Sequence, residues 1–294
     1  MKKFIQKIKL YSEYIYAQKD KFWLIVWLSI LGLTLIWNIL FLNKPALRLV
    51  IEGFLNTLYI SALVVVFSFL LGWIIGLLVV RFESSRFHIL YFTLTFILNI
   101  IRSIPQIVGI LLGYVGITYL ITAKILTDTW LVMTTMSIII SLFIFNEMID
   151  LIRERINHFK KLDFYNAMKV CGISENRIIN FDILWKNSRI HILNKLIAIF
   201  GSAIFLQCTI DFIISVGLST QVSSVSLPTT LGSLLAKIDS KQDILAIGNT
   251  IMNPSYFTHI FFEHLQGITV AFLIIFTLLA VYKISNGFAE RNRL

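Results

Sequence analysis

Long uncharged apolar stretches, separated by short charged ones, make up most of the chain. Residues 22–43, 53–80, 129–146 and 264–282 contain no Asp, Glu, Lys or Arg. The hydrocarbon core of a bilayer takes roughly 20 apolar residues of helix, so each stretch predicts a helix able to cross it. Residues 87–123 are interrupted only by Arg102, and residues 196–218 only by Asp211. The pattern predicts an all-α integral membrane protein with six transmembrane helices, over about 22–43, 54–80, 88–118, 129–150, 193–217 and 259–283. Residues 1–21 form a basic segment ahead of them. The first apolar run is too long for a signal-peptide core and lacks a small-residue cleavage site, so it is expected to be retained as a span.

Stretch 87–123 is long for one helix and short for two, and the placement of Lys and Arg decides between them. With a single span there, both termini fall on the same side of the membrane. Segments 1–21, 81–88, 152–195 and 283–294 then share that side with 20 of the 26 Lys and Arg; Lys44, Arg48, Lys124, Lys237 and Lys241 lie opposite. Basic residues favour the cytoplasmic side. The expectation is one long span kinked near Pro105, with both termini cytoplasmic. The net charge of +10 is then topological and gives no reason to expect a nucleic acid as partner.

Composition agrees with the pattern. Of 294 residues, 57% are hydrophobic and 14% charged, with 24 Phe and 4 Pro, and the mean hydropathy is +0.82. Ordinary soluble chains are roughly a quarter charged, so a soluble globule and a disordered chain are both excluded. Cys171 lies in a basic stretch and Cys208 in an apolar one, and neither has a His or Cys at ligand spacing. No disulfide framework and no metal site are expected.

Two segments stand outside the predicted spans. Residues 218–258 are rich in Ser and Thr, contain Pro228 and Pro254, and carry the apolar piece 231–236. They predict a folded extracytoplasmic loop with one or two short helices. Residues 158–186 are basic and helix-forming. Within them, 163–171 predicts a short helix, Gly172 can take the left-handed conformation that ends it, and Ser174 stands where a second helix would be capped. A helix–turn–helix with small and apolar residues suits a groove on another protein; an ordinary amphipathic interfacial helix fits the same spacing.

This loop resembles the EAA-type coupling loop of ABC-importer permeases, in which Glu-Ala-Ala is followed after three residues by Gly and later by an apolar-Leu-Pro ending. Asn166, Ala167 and Met168 stand at the Glu-Ala-Ala positions, Gly172 is the glycine, and Ile183 and Leu184 fall at the Ile-Leu of the oligopeptide- and dipeptide-type ending. Asn166 replaces the usual acid and Trp185 the usual proline. Residues 53–76, 102–105, 211–218 and 285–288 resemble further elements of the same family, so the likeness runs over roughly residues 53–294. The stretch between the first two spans is shorter than peptide-type subunits usually carry, which leaves permeases for polar amino acids as an alternative.

The resemblance implies a type I ABC importer permease fold in a bacterial inner membrane, with no catalysis and no cofactor of its own. It implies a second homologous permease subunit, two cytoplasmic ATPase subunits and an extracytoplasmic substrate-binding protein as partners, besides membrane lipid. It also implies coupling to the ATPase through Asn166, Ala167, Met168, Gly172, Ile183 and Leu184.

Ionisable groups within spans are costly unless they face water or a partner. Arg102 and Asp211, with Gln106 and Gln207, are therefore candidates for a translocation path or for paired positions at an interface. Glu147, near a span end, is expected to reach the interface. Gly72/Gly76 and Gly109/Gly113 permit close helix approach, within the subunit or against a partner permease. His88, His191, His259 and His264 sit near span ends and are assigned no chemistry. The chain has no Gly-x4-Gly-Lys-Ser/Thr and no hydrolase motif. A self-sufficient secondary transporter, whose halves would repeat, is the alternative from another class.

Overall fold

The computed structural model describes residues 18–83, 88–218, 227–237, 248–256, 258 and 265–292. The basic segment 1–17 and much of the expected loop 218–258 lie outside the described residues, as do His259 and His264. Ten α-helices are labelled here: α1 (Lys19–Phe41), α2 (Lys44–Glu83), α3 (His88–Ser103), α4 (Gln106–Thr122), α5 (Thr129–Ile144), α6 (Asn146–Lys160), α7 (Asp163–Val170), α8 (Arg189–Leu218), α9 (Leu231–Leu235) and α10 (Leu265–Asn292). The described residues contain no strand. Helices α1, α2, α8 and α10 are long and apolar enough to cross a membrane; counting the bent pairs α3–α4 and α5–α6 as one span each brings the number to six.

Among the boundaries that differ from the hydrophobic pattern, those at Asn43 and Pro105 have a local reason. Helix α2 begins well before the uncharged run because Asn43 caps it, accepting the Ala46 N–H at 2.9 Å. Pro45 is tolerated there because first-turn N–H groups have no helical partner anyway. The expected single span with a kink near Pro105 is instead two helices meeting at 94°. A proline drives the residue before it out of the α region, so α3 ends at Ser103 and α4 restarts after Pro105, which has φ −56° and ψ 127°. The span expected over 129–150 is likewise two helices, bent by 45° at Phe145, and the second continues to Lys160.

Helix α2 is the centre of the bundle and packs against α3, α5, α6, α8 and α9. Its buried positions step by three and four residues and are mostly small: Gly53, Thr57, Ser61, Val64, Ser68, Gly72, Gly76 and Val79. Its large apolar residues Leu55, Tyr59, Val66, Leu70 and Ile74 point outward. This inversion of the soluble pattern suits lipid, where apolar surface gains nothing by leaving its surroundings and contact comes from close backbone approach. Both glycine pairs serve packing inside the chain. A Cβ on Gly72 would lie 2.5 Å from Met148 Cβ, one on Gly76 would press on Ile152, and Gly109 and Gly113 face Phe143 and Ile139. Polar bonds add to the contact: Ser137 on α5 donates to the Ile60 carbonyl of α2 at 3.3 Å.

Helix α1 lies at the edge and packs mainly on α10. Thr269 donates to Asn38 at 3.0 Å and Trp27 to Thr277 at 3.3 Å, while Lys19–Glu290 and Arg291–Asp20 pair the ends at 2.6 and 2.9 Å. The short α9 is seated differently, against the α8 backbone. A Cβ on Gly232 would collide with the backbone of Cys208, which cannot swing aside as a side-chain tip can. Gly232→Ala is therefore expected to destabilise the fold by about 1–3 kcal/mol. At Gly116 an added Cβ would meet nothing within 4 Å, so Gly116→Ala should cause no loss, or a gain of up to about 1 kcal/mol. Thermal unfolding in detergent compares the two variants; equal midpoints would refute the α8–α9 approach.

Candidate functional site

Between α6 and α8 the chain leaves the bundle as a short projection. Helix α7 buries Tyr165 and exposes Phe164, Asn166, Ala167 and Val170, the last to 89%. Its end is closed by backbone bonds alone. Cys171 N–H reaches the Ala167 carbonyl at 3.0 Å, Gly172 N–H the Lys169 carbonyl at 3.1 Å and Ile173 N–H the Met168 carbonyl at 3.1 Å. Gly172 takes φ +77°, and Met168 and Ile173 both pack against the main core. This is the Schellman arrangement, in which a left-handed glycine lets the last carbonyls find donors.

Ser174 does not cap a second α-helix through its side chain. It is extended, at φ −62° and ψ 140°, with no side-chain cap bond; its carbonyl instead accepts the N–H groups of Arg177 and Ile178 at 3.0 and 3.1 Å. A single turn, Glu175–Arg177, then runs into a π-helix, Ile178–Asn187. In a π-helix the bonds run from i to i+5, and the buried residues here repeat at that step: Ile178 with Ile183, and Ile179 with Leu184. Those four side chains fasten the projection to the core. Phe181 and Trp185, at 53% and 64%, face outward.

One buried-edge triad stiffens the base of the projection. Tyr165 donates to Glu175 at 2.7 Å, and Lys160 pairs with the same carboxylate at 3.3 Å. The Tyr165 hydrogen bond holds Glu175 below its ordinary value against the opposing effect of burial, with Lys160 adding to the lowering. Burial, then the bond to Glu175, pushes Tyr165 up to about 12.

At the far end of the bundle a second group of polar side chains is enclosed between α2, α4, α8 and α9. Asp211 is 4% exposed and accepts a 2.6 Å hydrogen bond from Thr230, the residue that caps α9 by a reciprocal bond with Ser233. Tyr114 and Gln207 lie against the same carboxylate. Ser61 of α2 donates to Gln207 at 3.2 Å. Thr57 accepts the Leu231 N–H at 3.0 Å, and Asn56 donates to the Thr229 carbonyl at 2.9 Å. Asp211 thus anchors the segment 229–233 across the ends of three helices.

The four intramembrane candidates do not share one place. Gln207 and Asp211, one turn apart on α8, belong to this enclosed group. Arg102 pairs with Asp150 on α6, and Gln106 donates to the Phe143 carbonyl at 3.1 Å, so both tie the α3–α4 bend to the α5–α6 bend. Glu147 pairs with Lys195 at 2.8 Å. Of the coupling candidates, Asn166, Ala167 and Gly172 are exposed, Met168 is half-buried, and Ile183 and Leu184 are fully buried. Thr57 and Ser61, four residues apart in a largely apolar run, are a readable sign of a polar helix face. Tyr114 and Thr230 gave no such sign. Among the described residues no group of His, Cys, Asp and Glu could hold a metal ion. Compared with known proteins, the chain matches no family model and no curated relative.

Two outcomes are expected. Glu175, whose folded value is depressed, stabilises the projection above the usual carboxylate range, and that contribution is lost as pH falls through the depressed value. Amide-exchange protection over 165–178, corrected for intrinsic rate, should therefore drop below about pH 4, and the drop should shrink in Tyr165→Phe; an unaltered profile would exclude the triad. At the other end, Thr230→Val removes a hydrogen bond to a carboxylate and should cost about 1.5–3 kcal/mol, read as a lower unfolding midpoint, whereas Thr230→Ser should retain most of it.

Proposed function

We propose that the chain is the transmembrane permease subunit of an ATP-binding-cassette importer, forming half of the translocation path for a peptide or similar small solute. In this reading each bent pair is one span, giving six, and both termini face the cytoplasm of a bacterium with the protein in its inner membrane. The basic ends of α1, α2, α8 and α10 and the α6–α8 projection then share the cytoplasmic face. That sharing accords with the bonds joining them, Arg153–Glu83 at 3.7 Å and Ser285–Asn194 at 3.0 Å among them.

The observation that carries the reading is the projection itself. A chain without its own nucleotide site must receive mechanical work through a stiff, protruding contact. Phe164, Asn166, Ala167 and Val170 offer an exposed surface, and Ile178, Ile179, Ile183 and Leu184 fix its base in the core. Ala167 lets a partner surface approach closely, and Gly172 supplies the turn. Met168, Ile183 and Leu184 act from inside, passing displacement of the loop to α6 and α8. Two ATPase subunits, a second permease subunit and a substrate-binding protein complete the assembly, with the binding protein on the α9 side. Gln207 and Asp211 belong to the gate beneath it, while Arg102 and Gln106 hold the bend between α3 and α4. A permease for polar amino acids would share all of these parts.

A self-sufficient secondary transporter is the second reading, favoured by the 94° break between α3 and α4, since such transporters use discontinuous helices around their sites. Co-purification separates the two: a stable ATPase partner supports the importer, and ion-driven uptake into vesicles by the chain alone supports the second. Within the complex, Ala167→Arg should weaken ATPase association by placing a bulky charge in the contact. Gly172→Val should reduce substrate-stimulated ATP hydrolysis even where association survives, because a branched side chain opposes φ +77°. Asn166→Ala should cost only about 1 kcal/mol of the contact. Normal coupling in the first two variants would remove the projection as the transmission element.

A further inference from the structure

The last three turns of α2 and the segment 174–180 face each other across an open cleft of about 670 Å³. Its walls differ in chemistry along its length. Trp73, Ile74, Leu77 and Leu78 form the apolar part, with Ile74 and Leu78 exposed. Arg81, Asn176 and Asn180 form the polar part at the end of the uncharged run. Arg81 is exposed and forms no ion pair among the described residues. Glu175 also borders the cleft, but its carboxylate is engaged by Lys160 and Tyr165, so it does not cancel Arg81. Asn180 spends one N–H on the Asn176 carbonyl at 3.0 Å and has a second to give.

We propose that this cleft is a binding site for an anionic phospholipid, with the phosphate at Arg81, Asn176 and Asn180 and an acyl chain along Trp73, Ile74, Leu77 and Leu78. Arg presents a planar fork that fits phosphate oxygens, and a basic side chain at the membrane surface attracts anionic lipid. A free phosphate would leave the apolar half of the cleft uncovered. A zwitterionic headgroup brings a cation to a wall whose only carboxylate is already satisfied. Because the cleft is shared by α2 and the base of the projection, an occupied site braces one against the other. The inference rests on the membrane reading and needs no ATPase partner, so its failure is distinct from failure of the importer reading.

The test uses the purified, delipidated full chain in detergent, titrated with phosphatidylglycerol or phosphatidylcholine carrying brominated acyl chains, which quench nearby tryptophan. Phosphatidylglycerol should half-saturate the quenching at a concentration about tenfold lower, the size of one charge-assisted hydrogen-bonded contact. Trp73→Phe should remove the saturable part. Arg81→Gln should abolish the preference and Arg81→Lys should keep part of it, which separates loss of charge from loss of fold. Equal half-saturation by the two lipids, an unchanged preference in Arg81→Gln, or displacement of the lipid by glycerol phosphate at equal concentration would each overturn the assignment.

Discussion

The close approach of α2 to its neighbours is the contact on which the other packing depends. Helices α5, α6, α8 and α9 all meet it along a row of Gly, Ser, Thr and Val. In an apolar solvent, attraction between helices falls off within a fraction of an ångström of contact, so a few small residues at the right register outweigh many large ones facing lipid. At Gly72 and Gly76 the row lets the α6 side chains Met148 and Ile152 lie directly on the α2 backbone. The direction in which α6 leaves the bundle, and hence the position of the projection that follows it, descends from that fit.

The two ends of the bundle are held by different electrostatics. At one end, pairs such as Arg102–Asp150, Arg153–Glu83 and Lys195–Glu147 are partly exposed. Pairs open to water contribute little each, about 0–1 kcal/mol, and can be exchanged for solvent without great cost. At the other end a single enclosed carboxylate, Asp211, is served by Thr230, with Tyr114 and Gln207 beside it. Removing a partner there leaves a charge with no water to turn to, so that end opens with more difficulty and as a unit. A molecule with one compliant and one latched end is mechanically asymmetric, which fits the proposed importer.

Much of this was legible in the chain, and the misses share a cause. The uncharged runs located α1, α2, α8 and α10, and the 163–172 pattern foretold both α7 and the left-handed Gly172. Run length could not reveal that α2 starts at Lys44, because a single Asn43 cap decides it. Pro105 marked the place of the kink, but run length could not reveal that the bend reaches 94°, because local geometry there overrides an apolar pattern that continues on both sides. Arg102 and Asp211 were recognised as costly, but their partners Asp150 and Thr230 lie on other elements, and such pairings are set by how helices pack. The π-winding of 178–187 does not show at the α-helical period. A five-residue step leaves an α-helix about 140° out of register, so Ile178 and Ile183 do not read as one face.

That winding has a consequence far from where it occurs. A helix that completes its turns more slowly delivers the chain to Arg189 at a different azimuth from an α-helix of the same length, by about 100° for each residue gained or lost. A bend at Ser188, with φ −112° and ψ 1°, adds its own turn, and helix α8 then runs without interruption to Leu218, carrying the combined phase with it. The direction in which Asp211 faces therefore depends on the winding some two dozen positions earlier, at the foot of the projection, as well as on the packing of α8 against its neighbours. The segment acts as the setting of a long shaft: rewinding it would leave α8 helical and aim its side chains elsewhere.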